Sequence, residues 1–182
     1  LPGGLGWYAK SFTVPESAKG KKVYIYFEGV YNRSKVYLNG NLLGERPNGY
    51  VSFMYDLTPY LKYGSEVNDI RVEVDHTRYN DSRWYTGSGI YRDVYLVYAE
   101  PTHIDLWGTY CITKNVTKSK ADFVVQTTLL NEQAKGAKAE VELSLYDRAD
   151  GKLVATSKKV INLKANDSLV CEQTLKVKKP KM

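Results

Sequence analysis

The sequence predicts an all-β chain made of two sandwiches, and three observations carry that expectation. Runs of five to seven β-branched and aromatic residues recur between turn formers along the 182 residues. No apolar stripe of helical period persists for three turns, so the strand-helix alternation of a (β/α)₈ barrel is absent from these residues. The composition also shifts near Pro101. Fourteen of the 16 tyrosines precede it, and 12 basic against 11 acidic residues over 1–100 give net +1, whereas 14 against 9 over 101–182 give net +5. Two shifts at one proline mark a boundary between a domain at 1–100 and a second at 101–182.

In chain order, Trp7 to Val14 is aromatic and β-branched and ends at Pro15, and Val23 to Phe27 alternates as V-Y-I-Y-F. Lys35 to Leu38 runs into Asn39-Gly40, a pair that suits both positions of a type I′ hairpin turn. Gly44 to Tyr50 is rich in turn formers and reads as a loop, Val51 to Leu57 as a strand, and Asp56-Leu57-Thr58-Pro59 as a capped turn. Ile70 to Val74 alternates once more. Beyond Pro101, Ile104, Leu106, Tyr110 and Ile112 share one parity, as do Phe123, Val125 and Leu129, and Val141, Leu143 and Leu145 alternate with Glu140, Glu142 and Ser144. Asp147 to Gly151 reads as a turn, and Leu153 to Leu163 and Leu169 to Val177 as two last strands. Five strands in about 80 residues fall short of the roughly seven of an immunoglobulin-like sandwich. The Phe123 and Val141 runs are therefore expected to lie partly bare, and to be covered by a second copy of the chain.

The candidate functional stretch is Asp81 to Leu96, D-S-R-W-Y-T-G-S-G-I-Y-R-D-V-Y-L, a polar and aromatic loop anchored by an expected strand from Ile90 to Leu96. Gly87 and Gly89 around Ser88 permit backbone angles that other residues resist, which would hold Arg83, Trp84 and Tyr85 on a bent rim. Asp81 and Arg83 suit charge-assisted bonds to hydroxyl groups, and Trp84 and Tyr85 suit stacking on a pyranose face. The same residues also fit a plain structural account, with Arg83 paired to Asp81 or Asp93 and Trp84 in the core.

Three runs, Val30 to Gly40, Gly49 to Thr58 and Arg83 to Val94, resemble in sequence and order the N-terminal, galactose-binding-like jelly-roll domain of glycoside hydrolase family 2. That family includes β-galactosidases, β-glucuronidases and β-mannosidases. Arg33 departs from the pattern, since Asn is more usual in that turn. The resemblance implies a jelly roll followed by an immunoglobulin-like sandwich, incomplete at its C-terminal end. It implies the non-catalytic N-terminal portion of an exo-acting glycosidase, most readily a β-galactosidase, whose β-linked substrate is cleaved in a separate barrel domain. The loop at Asp81 to Tyr85 would then help to bound the sugar subsite. A free-standing carbohydrate-binding module, with Trp7, Trp84 and tyrosines as a stacking platform, and a non-enzymatic interaction sandwich remain as alternatives. A bacterial periplasmic or secreted location would fit such a parent.

Other chemistry finds little support. Glycoside hydrolysis needs two carboxylates flanking the scissile bond, yet Glu28, Asp56, Asp75 and Asp93 sit at strand ends and turns where capping accounts for them, so none is assigned catalysis. His76 and His103 lack partners at metal-ligand spacing, and no phosphate loop, dinucleotide fingerprint or nucleophile elbow occurs, so neither metal nor cofactor is expected. Cys111 and Cys171 read as free thiols packed within strands. The basic excess lies on strand faces and a tail without interleaved aromatics, which argues against nucleic acid, and no span suits a membrane. Asn32, Asn80, Asn115 and Asn166 open Asn-x-Ser/Thr sequons, which carry meaning only in a eukaryotic secretory pathway.

Overall fold

A computed structural model describes residues 3–78 and 87–180, which form an all-β chain dividing into two compact units, Leu1–Glu100 and Pro101–Met182. The first unit contains β1 (Leu5–Phe12), β2 (Lys22–Phe27), β3 (Val30–Tyr31), β4 (Ser34–Leu38), β5 (Asn41–Arg46), β6 (Phe53–Asp56), β7 (Asn68–Asp75), β8 (Gly89–Ile90) and β9 (Val94–Ala99). A four-stranded sheet in the order β1-β7-β4-β5 faces a three-stranded sheet in the order β6-β2-β9, and β3 pairs with β8. All of these pairings are antiparallel.

The alternation legible in the sequence becomes the core. Ile70, Val72 and Val74 of β7 and Val36 and Leu38 of β4 point inward to meet Val23, Ile25 and Phe27 of β2 and Phe53 of β6. Phe27 and Phe53 stack at 5.0 Å. Asn39 and Gly40 turn β4 into β5 with φ of 49° and 85°, the two positive angles a type I′ turn requires. Asn39 also donates through Nδ2 to Asn68 Oδ1 at 2.9 Å, and the fully buried Asn68 in turn accepts from the Lys62 backbone N–H and donates to the Lys62 carbonyl. This closes one end of the sandwich without leaving the buried amide unpaired.

Two expectations for this unit need correction. The loop expected from Gly44 begins later, because β5 continues through Arg46 in register with Ser34. The strand expected over Ile90 to Leu96 is interrupted at Tyr91 to Asp93: Ile90 pairs with Val30, whereas Val94 opens β9 and pairs with Phe27. The Tyr91 ring lies over Gly29, where an added Cβ would come within 2.5 Å of it, and its hydroxyl donates to the Gly49 carbonyl at 2.8 Å. That side chain turns the backbone from the small sheet into the larger one.

The second unit has five strands, β10 (Thr102–Lys114), β11 (Lys120–Asn131), β12 (Ala137–Tyr146), β13 (Leu153–Leu163) and β14 (Asp167–Lys178). They form the sheets β10-β11-β14 and β12-β13. Leu129, Val141, Ile161, Leu163 and Cys171 make a core drawn from four of the five strands, and Leu143 packs against it. Val125, Leu129 and Val141, expected to lie bare, are therefore buried within the unit at 4, 5 and 6 % exposure. The bare inner positions lie instead on β10. A bulge between Ile104 and Thr109, with Trp107 at φ 60°, breaks the expected parity, so Ile104 sits opposite Leu129 on the inner side while Tyr110 sits opposite Gln126. Ile104 is 52 % exposed and Cys111, also expected to be packed, is exposed too, while Cys171 is buried; both thiols are free.

Candidate functional site

One end of the first unit gathers the β3-β4 turn, the β5-β6 loop, the β7-β8 connection and the β8-β9 turn. The named loop residues Asp81, Arg83, Trp84 and Tyr85 lie outside the described residues, but both feet of their connection are placed. His76 leaves β7 and Ser88 enters β8, and His76 Nδ1 and Ser88 Oγ are 2.5 Å apart. Tyr31 meets the His76 ring edge-on at 5.1 Å and the Tyr50 ring at 5.3 Å. Gly49 admits this packing, since a Cβ there would fall 2.2 Å from the Tyr31 ring. Tyr50 itself is 65 % exposed, an aromatic face presented to solvent at the rim.

Arg33, the residue that departs from the family pattern, has a clear task. It adopts φ 39° in the β3-β4 turn, and its guanidinium holds Asp75 at the end of β7, with Nη2 to Oδ1 at 3.3 Å and Nε to Oδ2 at 3.4 Å. Asp75 also accepts from the Thr77 backbone N–H at 2.9 Å and hydroxyl at 2.6 Å. The Thr77 hydroxyl first, and then the Arg33 guanidinium, hold the Asp75 carboxyl well below the usual carboxylate range. Because the folded-state value is depressed, this stabilisation is complete above the unfolded value near pH ~4 and is lost as pH falls through the folded value. Acid titration of the folded first unit should therefore show Asp75 ionised at a pH where other surface carboxylates are protonated. Asp75→Asn should make acid unfolding less steep, and unchanged acid unfolding in that variant would refute this linkage.

Gly89 and Gly87 separate. Gly89 takes φ 103°, and a Cβ there would lie 2.0 Å from the Tyr8 hydroxyl, whereas no described residue comes within 4 Å of a Cβ added at Gly87. The expectation of special geometry thus holds for Gly89. Gly89→Val should destabilise the first unit by about 1–3 kcal/mol, read as a lowered urea midpoint, while Gly87→Ala should be near neutral.

Two of the carboxylates read as turn caps, Asp56 and Asp75, do cap turns. Asp56 Oδ1 accepts from the Thr58 backbone N–H at 2.8 Å, as Asp75 does from Thr77, and Asp56 Oδ2 pairs with Lys22 at 2.6 Å. Three polar atoms at this end, Asn32 Oδ1, Ser34 Oγ and Arg46 Nε, are buried without a hydrogen-bond partner among the described residues. Among the described residues no three His, Cys, Asp or Glu side chains gather as a metal would require, and no helix is long and apolar enough to cross a membrane. Sequence reasoning missed the Arg33-Asp75 pair, the His76-Ser88 contact and the Tyr31-Tyr50 rim. The unusual Arg33 was the one signal pointing to them.

The sequence profile of the glycosyl hydrolases family 2 sugar binding domain matches residues 2–101. The chain is 45 % identical over 182 residues to β-galactosidase BoGH2A of Bacteroides ovatus, covering 100 % of this chain and 21 % of that protein. It is 35 % identical over 199 aligned positions to a β-glucuronidase of Formosa agariphila, covering 98 % and 20 % of the two. Among solved structures, a family 2 glycosyl hydrolase from Bacteroides cellulosilyticus superposes with a TM-score of 0.92 at 33 % identity, covering 99 % of this chain and 24 % of the other. A β-glycosidase from Bacteroides vulgatus gives 0.85 at 42 % identity, covering 99 % and 22 %. The chain thus spans about a fifth of the length of the curated relatives it matches. A jelly-roll rim built on these residues, and a profile match running through all of its strands, lead to one conclusion: the chain belongs to glycosyl hydrolase family 2, with its sugar-binding domain at residues 2–101.

Proposed function

We infer that the chain is a non-catalytic portion of an exo-acting β-galactosidase, and that its β7-β8 connection helps to bound the sugar subsite of a catalytic domain carried elsewhere in the parent polypeptide. The observation that supports this best is the likeness to the Bacteroides ovatus β-galactosidase across every residue of the chain. The geometry fits the role. The anchored feet His76 and Ser88, the exposed Tyr50 and the buried Asn32 and Arg46 atoms left without partners among the described residues crowd the end where the described parts of the β7-β8 connection lie. Asp81 and Arg83 supply hydroxyl partners, and Trp84 and Tyr85 supply stacking faces for a β-linked sugar.

The purified chain should give no turnover of a nitrophenyl β-galactoside. The full-length product of the reading frame should prefer that galactoside over the matching glucuronide by at least about 10²-fold in kcat/KM. Turnover by the chain alone, abolished by a substitution within it, would overturn the non-catalytic assignment. Preference for the glucuronide would overturn the galactoside assignment, an outcome to which the Formosa agariphila relative gives weight. The alternative of a free-standing carbohydrate-binding module draws on Trp7, which is 54 % exposed and lies 5.9 Å from Tyr37 on the outer face of the sheet. Isothermal titration separates the two, since only the module binds galactose at millimolar or better affinity without a catalytic domain.

A further inference from the structure

Two arginines are neighbours at the loop end of the first unit, where the Arg33 backbone N–H donates to the Pro47 carbonyl, one residue past Arg46. Arg33 has its counter-charge in Asp75. Arg46, which closes β5, makes no ion pair and no hydrogen bond among the described residues. The carboxylates around it are engaged elsewhere. Glu45 alternates to the outer face of the sheet, where Lys35 lies 3.9 Å from it and 3.5 Å from Glu73, and Asp56 pairs with Lys22.

Register turns Arg46 inward. It sits opposite Ser34, which sits opposite Val74, and those two residues are 0 and 3 % exposed. Paired side chains share a face, so Arg46 belongs to the inner face of the four-stranded sheet, and its guanidinium lies over the Phe53 ring at 5.5 Å. The layer beneath is filled, because Tyr55 packs over Gly44, two residues back on the same face of β5. The Arg46 side chain is half-buried, and its Nε is buried without a partner. The Ser34 hydroxyl across the strand pair, and the Asn32 amide oxygen two residues before it, are buried without partners too. A guanidinium N–H and a hydroxyl both donate, and an amide can present its NH₂ where its oxygen is placed. Donors gathered beside a half-buried cation suit an anion.

We propose that Arg46 and Ser34 form a site for one carboxylate, the side chain of an aspartate or glutamate of the parent polypeptide outside residues 1–182. A planar guanidinium takes a carboxylate side-on through Nε and one Nη, so the buried Nε–H fixes the direction from which the anion comes. The Ser34 hydroxyl adds a third donor, and the Asn32 amide borders the site. A charge held half out of water without a partner is costly, and a carboxylate meets that cost with charge and hydrogen bonds together. The source of the carboxylate rests on the reading of the chain as part of a longer glycosidase, whose relatives carry about four-fifths of their length outside the matched region. A side chain tethered in the same polypeptide meets Arg46 at a high effective concentration, which favours it over a free anion.

Amide hydrogen exchange of β4 and β5 in the full-length product, read as protection relative to wild type at the same pH, tests the site with Arg46→Met and Arg46→Lys. Methionine keeps much of the side-chain volume and removes the charge. A carboxylate left facing it has a folded-state pKa raised above the unfolded value near pH ~4, so stability is lost above that raised value and returns as pH falls through it. Arg46→Met should therefore lower protection about tenfold at about pH 7.5 and less than about threefold at about pH 5, while Arg46→Lys stays within about threefold of wild type at both. Unchanged or increased protection in Arg46→Met at the higher pH overturns the proposal, because removing an unpaired half-buried cation costs no stability. An equal loss at both pH values, which lost packing on Phe53 alone produces, overturns it as well. Wild-type protection that rises on addition of acetate or methyl β-glucuronide assigns the site to a free anion and overturns the polypeptide source. Should Arg46→Met fail to fold, Arg46→Gln carries the same comparison. Glycosidase activity plays no part in the readout, so failure of the galactosidase assignment is seen separately.

Discussion

Phe53→Ala is expected to destabilise the first unit by about 3–5 kcal/mol, the largest single effect among the substitutions considered. Phe53 is 2 % exposed, stacks on Phe27 at 5.0 Å and meets the Tyr55 ring at 5.4 Å, while Arg46 lies over its face at 5.5 Å. Truncation removes apolar area from the core between the two sheets and leaves a cavity that the paired strands cannot collapse into, because β6 is held in register from Phe53 to Asp56 against β2. It also strips a ring partner from the half-buried Arg46. The urea midpoint, with exchange of the β2 and β7 amides as a local probe, measures the loss. Phe53→Leu should recover more than half of it, and equal losses for Ala and Leu would show that the ring contacts matter more than the volume.

Asn131→Ala is expected to cost the second unit about 2–4 kcal/mol although it removes only a small side chain. Asn131 is 1 % exposed, and its Nδ2 donates to the Lys135 and Lys164 carbonyls at 2.8 and 2.7 Å. Its Oδ1 accepts from the Thr102 hydroxyl at 3.1 Å and the Gln133 backbone N–H at 3.3 Å. One amide thus ties the start of β10 and the end of β11 to two turns. Alanine leaves the two carbonyls that face this buried position without their donor, at about 1–3 kcal/mol each, offset where water enters. Asn131→Asp should be worse than alanine, since it sets a carboxylate oxygen against those carbonyls. Thermal unfolding of the three proteins checks the order, and an aspartate variant as stable as wild type would refute it.

How far the sequence revealed the fold depended on the range of the contact involved. Asn39-Gly40 specifies its turn locally, and the alternations in β7 and β12 state their own buried faces, so these elements were legible residue by residue. The break at Tyr91 was not, because it depends on a hydroxyl reaching Gly49, 42 positions away. Nor was the reversal of parity in β10, which follows from one bulge that no residue pattern announces. Gly87 and Gly89 look alike in sequence, where neither the positive φ of Gly89 nor the packing of Tyr8 over it can be read. The site followed the same rule. The stretch Asp81 to Leu96 drew attention through its own composition, whereas the Arg33-Asp75 pair that braces its first foot is assembled across 42 residues.

If a loop of this chain shapes a sugar subsite without performing the chemistry, Trp84→Ala in the full-length product should weaken substrate capture. The kcat/KM for a nitrophenyl β-galactoside should fall by about 10–100-fold, mostly through KM, with thermal stability within about 0.5 kcal/mol of wild type. Asp81→Ala and Arg83→Ala should move in the same direction by smaller factors. Unchanged kcat/KM in all three variants, or a loss of activity that merely follows a loss of stability, would contradict it.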